Sequence, residues 1–459
     1  MSFREMFRTP PPVDGARMSP AVFSEGSGPA EIDRYQIIKG RLHMKLVEQF
    51  DLAALENTAP ELLRQEIAAL TERLLQEEPV AVNEIERRHL IRDIAHEMMG
   101  FGPLELLMAD PTVSDILVNS WHQVYVERRG RLELTPVTFQ DEAHLMRIID
   151  KIVSRVGRRI DESSPMVDAR LPDGSRVNVA IAPVAIDGPL MSIRRFAHIP
   201  LKMDKLVSDA YQSLTPGMAA FLEGLVRAKV NLLISGGTGS GKTTLLNILS
   251  GYIPSGERVV TIEDAAELQL QQSHVVRLET RPPNIEGHGE ITQRALVRNA
   301  LRMRPDRIVI GEVRGAEALD MLQAMNTGHE GSMTTIHANT PRDALSRLEN
   351  MISMASASMP PRAVRQQMAA AISVVVQTLR LIDGRRKITS IQEITGMEGE
   401  VISLQQIFGF RQIGVGSDGA VLGHFAATGV RPKIMERLQS FGVQLPDAMF
   451  DPAYLLETI

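Results

Sequence analysis

The sequence predicts an α/β protein in which a mostly parallel, helix-covered sheet follows a helical bundle and a smaller α+β domain. Three observations carry this. From about residue 216 onward, strand-like apolar runs alternate with helical stretches, the pattern of a sheet with helices on both faces. One run, Val230-Asn231-Leu232-Leu233-Ile234-Ser235, leads directly into a glycine-rich loop and then a candidate helix, Thr243-Thr244-Leu245-Leu246-Asn247-Ile248-Leu249. Ahead of it, apolar residues recur first at three- and four-residue spacing, then in short alternating runs.

At 459 residues the chain is long enough for two or three domains with cores of their own. Its 44% hydrophobic and 23% charged content is that of an ordinary globular protein. A formal net charge of −6 gives no electrostatic case for nucleic acid as a primary partner, although a local basic groove stays open. The absence of cysteine excludes a disulfide scaffold, thiolate zinc sites and cysteine nucleophiles, and fits a reducing compartment. No stretch approaches the run of about 20 apolar residues that a membrane span needs, and Met1-Ser2-Phe3-Arg4-Glu5 lacks the layout of a secretory signal. The expectation is a cytoplasmic protein that reaches a membrane only by docking to something else.

In chain order, residues 1–32 are rich in Pro, Gly and Ser and are expected to be disordered. Residues 33–102 predict a three-helix bundle. Tyr35, Ile38, Leu42, Leu46 and Phe50 form one stripe, and Leu63, Ile67, Leu70 and Leu74 a second after Pro60. Asn83 with Glu86 reads as a capping box opening a third, through Leu90, Ile91, Ile94 and Met98. Gly100-Phe101-Gly102-Pro103 breaks the period.

Residues 103–202 predict an α+β domain. Its strands are Ile116-Leu117-Val118, Val124-Tyr125-Val126, Leu132-Glu133-Leu134, the alternating run from Arg176 to Ile181, and Met191-Ser192-Ile193-Arg194. Its helix carries Leu145, Ile148, Ile149, Ile152 and Val153. Residues 203–215 are expected as a connector and hinge, and residues 216–459 as the parallel-sheet domain.

The glycine-rich loop Gly236-Gly237-Thr238-Gly239-Ser240-Gly241-Lys242-Thr243 is the most specific signal in the chain. Glycines permit backbone angles that let successive N–H groups converge on a phosphate, and the following helix adds its positive N-terminal end. Lys242 is placed to bridge two phosphates, and the Thr243 hydroxyl to ligate Mg²⁺. Two later strand ends supply acids: Glu263 and Asp264 after Thr261-Ile262, and Glu312 after Ile310-Gly311. In an open α/β sheet, ligands bind outside the carboxyl ends of the strands, where these carboxylates fall. An acid near a metal and a base that activates water are what phosphoryl transfer to water requires. None of the eleven histidines has the spacing of a zinc site, so a zinc enzyme is not expected; packing or hydrogen bonding is the plain reading of His329 and His337.

Taken together these segments resemble the secretion ATPase superfamily. Gly236 to Thr244 resembles its Walker A loop, and Thr261-Ile262-Glu263-Asp264-Ala265-Ala266-Glu267-Leu268 its Asp box. Asp306 to Arg314, with Gly311-Glu312, is similar to its atypical Walker B, and Gly328-His329-Glu330-Gly331 through His337-Ala338-Asn339 to its His box. Arg277 to Asn284, Gly289-Glu290-Ile291-Thr292 and Leu296 to Asp306 resemble the CpaF-type motors of tight-adherence (Tad) pili, and the lack of cysteine departs from relatives that carry a tetracysteine zinc module.

The resemblance implies a RecA-like P-loop ATPase domain behind a PAS-like α+β domain, and a homohexamer peripheral to the inner membrane that acts through a membrane platform protein. It implies ATP and Mg²⁺ as ligands. Gly237, Thr238, Gly239, Ser240, Gly241, Lys242, Thr243 and Thr244 would bind nucleotide, with Thr243, Glu263 and Glu312 at the metal. Glu312 would be the catalytic glutamate, His329 and His337 would link the γ-phosphate region to subunit contacts, and Arg176 and Arg194 would reach the γ-phosphate. Two other readings stay open: a conjugation-type ATPase moving protein or DNA, and a nucleotide-gated scaffold with little turnover.

Overall fold

Helices begin where the sequence supplies caps and stripes. The computed structural model describes residues 29–49, 60–77, 82–128, 130–195, 201–281, 283, 288–356 and 358–452. Of the segment expected to be disordered, residues 1–28 lie outside the described residues, as does Phe50. The chain divides into two units, Met1–Ala197 and His198–Ile459.

The first unit opens with helices α1 (Pro29–Gln49), α2 (Pro60–Glu77) and α3 (Glu84–Met99). Their apolar stripes meet in a core of Ile38, Leu42, Leu46, Ile67, Leu74, Leu90 and Ile94. The Asn83 side chain accepts the Glu86 N–H at 2.8 Å and the Glu86 carboxylate accepts the Asn83 N–H at 3.0 Å, so the capping box forms as read.

After α4 (Glu105–Ala109) come β1 (Val113–Ser120), β2 (Gln123–Arg128), β3 (Arg131–Leu134), α5 (Glu142–Arg155), β4 (Met166–Arg170), β5 (Arg176–Ala180) and β6 (Leu190–Arg194). The strands form an antiparallel sheet in the order β3-β2-β1-β6-β5-β4. Leu145, Ile148, Ile149, Ile152 and Val153 of α5 pack in one cluster with inward residues such as Val118, Val126, Val177 and Ile193.

The second unit contains α6 (Met203–Val207), α7 (Pro216–Arg227), β7 (Leu232–Gly236), α8 (Lys242–Ser250), β8 (Val259–Glu263), β9 (Val275–Glu279) and α9 (Gln293–Ala300). Next are β10 (Arg307–Ile310), α10 (Glu317–Asn326), β11 (Met333–His337), α11 (Pro341–Ala355) and α12 (Pro361–Ala371). β12 (Val374–Arg380), β13 (Arg386–Glu398), β14 (Val401–Val415), β15 (Val421–Ala427) and α13 (Met435–Ser440) close it.

The sheet order is β15-β14-β13-β12-β7-β11-β10-β8-β9. The run from β12 to β9 is parallel, and β13 to β15 extend it antiparallel. Both faces of the parallel part are covered. Leu232 and Ile234 pack on one side and Leu233 on the other, as strand alternation demands.

Residues 203–215, expected as a connector, fold onto this unit. Met203, Leu206 and Leu214 are buried in its core, and the Ile388 N–H donates to the Ser213 carbonyl at 2.8 Å. Among the described residues, no helix is long and apolar enough to cross a membrane.

Candidate functional site

Parallel strands bring their carboxyl ends to one sheet edge, and the register fixes what stands there. Gly236 pairs with His337, Thr334 with Ile310, and Ile310 with Ile262. The glycine-rich loop, Glu263, Gly311-Glu312 and His337 therefore follow directly on β7, β8, β10 and β11 along one edge.

The loop turns into α8 through Gly239 at φ +68° and Gly241 at φ +95°, conformations that favour glycine. Three side chains hold its backbone. Ser240 Oγ donates to the Gly237 carbonyl at 2.8 Å and pairs with Thr378 Oγ1 of β12 at 2.9 Å. Lys242 Nζ donates to the Gly237 carbonyl at 2.9 Å, and Arg386 Nε of β13 donates to the Gly239 carbonyl at 2.8 Å. Thr238 is exposed, while Thr243 and Thr244 stand half-buried in the first turn of α8, where a helix N-terminus favours an anion.

Lys242 is 9% exposed, and burial pushes its ammonium pKa down. The charge of Glu312 opposes that shift, whereas Arg314 and Arg347 add to it, so these four groups act on one another. Glu312 accepts from Arg314 Nη2 at 2.7 Å, and Arg314 Nη1 reaches Asp264 Oδ2 at 3.2 Å, joining the ends of β8 and β10 through one guanidinium. Gly311 is held in turn by Thr335 Oγ1, which donates to its carbonyl at 2.7 Å.

Glu263 is 2% exposed. Its Oε2 accepts the N–H groups of Glu267 and Leu268 at 2.7 and 2.8 Å, while Oε1 is buried with no hydrogen-bond partner among the described residues. Burial pushes this carboxyl up to about 7, against the pull of the two N–H donors.

The two histidines part company. His337 ends β11 level with Gly236, at the loop. His329 lies before β11, beyond the end paired with Leu232, and the strand alone accounts for about 13 Å at 3.3 Å per residue. There its carbonyl accepts from Ser332 Oγ at 2.7 Å, and Ser332 N–H donates to Asn231 Oδ1 at 3.0 Å. The structure thus does not bring His329 to the edge that carries Lys242 and Glu312.

Arg176 and Arg194 belong to the first unit. They are cross-strand partners on β5 and β6, and they pair with Asp168 at 2.9 Å and Asp115 at 3.1 Å.

Among the described residues no group of three or more His, Asp or Glu could hold a metal on its own. A Mg²⁺ ion that keeps phosphate oxygens and waters as most of its ligands needs only one or two carboxylates from the protein. Thr243, the unpartnered oxygen of Glu263, and Glu312 fit that requirement. The sequence reading missed Thr378, Arg380 and Arg386; the turn signal Asp383-Gly384 between β12 and β13 marks the hairpin that carries them.

The family described as Type II/IV secretion system protein matches residues 97–404. A Mycobacterium tuberculosis H37Rv protein named for conjugal transfer is 38% identical over 317 residues, covering 68% of this chain and 89% of its own. Conjugal transfer protein TrbB of Rhizobium radiobacter is 32% identical over 293 residues, covering 63% and 85%. Among solved structures, the VirB11 ATPase of the Brucella suis type IV secretion system, in complex with sulphate, is 27% identical. That match covers 63% of this chain and 95% of the other, with a TM-score of 0.35.

Proposed function

The chain belongs to the type II/IV secretion system protein family, and from that premise we propose that it is an ATP hydrolase that drives pilus assembly of the Tad type. In this reading it works as a homohexamer peripheral to the inner membrane, through a membrane platform protein. The observation that carries the catalytic part is the convergence of Lys242, Glu263, Glu312 and His337 with the phosphate loop on one sheet edge.

The loop N–H groups and the N-terminus of α8 hold the phosphates, with Lys242 Nζ exchanging the Gly237 carbonyl for a phosphate oxygen. Thr243 and the acids would hold Mg²⁺, which would supply neutralisation of phosphate charge. Glu312 orients the attacking water and accepts its proton, once Arg314 lets its carboxylate turn. Glu263, buried and with an open oxygen, fixes the acid end of the site. Arg176 and Arg194 are proposed as the arginines that meet developing charge on the strength of the resemblance.

Replacing Glu312 with Gln is expected to keep ATP binding and to reduce turnover by at least about 100-fold. Sustained hydrolysis in that variant would remove Glu312 from the role of base. Turnover that depends on Mg²⁺ and vanishes in Lys242→Ala, from a species of six-subunit mass, is the expected result for the parent chain.

The named relatives favour a second reading, a conjugation-type ATPase that moves protein or DNA. Tight, salt-sensitive DNA binding would support it over pilus assembly.

A further inference from the structure

We propose that the first unit holds a second ligand site, for a small phosphate-bearing molecule, in a cavity of about 270 Å³ between α1, α3 and α5. The proposal does not rest on the function proposed above. The cavity is lined by Lys39 and His43 from α1, Glu97 from α3, and His144, Arg147 and Lys151 from α5. The α5 residues recur at helical spacing, on a different stripe from the Leu145, Ile149 and Ile152 set in the sheet core.

One acid faces this group of bases, and it is already engaged. Glu97 Oε1 pairs with Lys39 Nζ at 2.7 Å, and Oε2 with His144 Nε2 at 3.0 Å. The Gln140 N–H donates to His144 Nδ1 at 3.1 Å, so the Nε2 of this imidazole carries the proton given to Glu97. Lys151 Nζ donates to the carbonyls of Glu97 and Met98 at 2.6 and 3.0 Å, capping the end of α3.

Those contacts account for the architecture. They leave a cavity whose rim and walls carry Lys39, Arg147 and Lys151 against the single carboxylate of Glu97, with Met98 and Ile148 lining it as well. Such a surplus of positive charge between low-dielectric walls focuses a field that an anion answers. Burial pushes Lys151 down to about 8, with Arg155 adding to the shift and Glu97 and Glu105 opposing it. Burial also pushes His43 down, with Lys39, His144 and Lys151 adding and Glu97 opposing. A bound anion would act against both shifts.

The volume falls just below the range of about 300–1,000 Å³ that drug-sized ligands occupy, which favours a phosphate monoester over a nucleoside triphosphate. The phosphate could belong to a free metabolite or a lipid headgroup.

The test is calorimetric titration of the full chain in the Lys242→Ala background, which separates the cavity from the phosphate loop. Glycerol 3-phosphate is expected to bind with one-to-one stoichiometry, and Arg147→Glu to weaken it about tenfold or more; Arg147 is exposed, and far-UV circular dichroism checks the fold. Between pH 7 and 9 the monoester stays dianionic while Lys151 loses its proton, so affinity should fall as pH rises. His43→Gln gives a second variant with the same expected direction. Vesicles containing phosphatidic acid provide the other arm: Arg147-dependent sedimentation without glycerol 3-phosphate binding would assign the phosphate to a lipid. Absence of both, or binding untouched by Arg147→Glu and His43→Gln, would overturn the proposal.

Discussion

Arg386 shows how a distant side chain sets the phosphate loop. Its Nε holds the Gly239 carbonyl across 147 residues of sequence. In a trans peptide the C=O and the following N–H point to opposite sides, so drawing the Gly239 carbonyl toward β13 turns the Ser240 N–H back toward Gly237, whose carbonyl lies 3.4 Å away. Arg380, ending β12, brings a second guanidinium to the same glycine. A charge-assisted hydrogen bond of this kind is worth about 1.5–3 kcal/mol. Arg386→Ala should therefore raise KM for ATP about tenfold or more with a smaller effect on kcat, and Arg386→Lys should recover part of it. Steady-state kinetics decides: a fall in kcat at unchanged KM would place Arg386 on the reacting phosphate instead. Lys242, Glu263 and Glu312 were legible because each lies in a local pattern: Lys242 where the glycine-rich loop enters α8, Glu263 at the end of β8 and Glu312 two residues after β10. Arg386 was not, because nothing within its own segment points to a loop folded more than a hundred residues earlier.

β11 carries different chemistry at its two ends, and register accounts for it. His337 meets the loop, while the stretch before Met333 packs on a buried ion pair. Arg307 is fully buried and bonds Glu257 through Nε at 2.5 Å and Nη2 at 3.2 Å, with Nη1 on the Val226 carbonyl at 2.7 Å. Gly331 sits against it at φ +79°, where a Cβ would lie 2.7 Å from Arg307 Nη1 and 3.0 Å from Lys229 Cα. Gly331→Ala should cost about 3 kcal/mol in denaturant unfolding of the second unit, from strain and a disturbed buried pair. A loss below about 1 kcal/mol would mean that the guanidinium gives way. The resemblance gave both histidines one role although the β-like run Ser332 to Ile336 lies between them, because motif spacing does not say which sheet edge each residue reaches. The antiparallel strands β13 to β15 were unread for a related reason. Long alternating runs such as Val401–Val415 announce a strand but not the edge it joins.

Over the whole molecule, each unit has hydrophobic cores of its own, so calorimetry should resolve two transitions. Acid should separate them further. Burial pushes Glu97 up, but the His144 hydrogen bond and the Lys39 charge outweigh it and hold its carboxyl down to about 2. A carboxyl lower in the folded than in the unfolded state stabilises above the unfolded value of 4.5, and that contribution is lost as pH falls through about 2. The stake is about 3 kcal/mol. The transition of the first unit should drop as pH goes from 5 to 3, and Glu97→Gln should flatten that dependence; equal slopes in parent and variant would deny Glu97 the role. The order of the second sheet also bears on synthesis. β7, which delivers the phosphate loop, lies between β11 and β12, strands formed by residues 333–337 and 374–380. A chain leaving the ribosome exposes the loop long before either flanking strand exists, and Arg386 emerges later still. The nascent protein therefore completes this site only after Arg386 has left the ribosome.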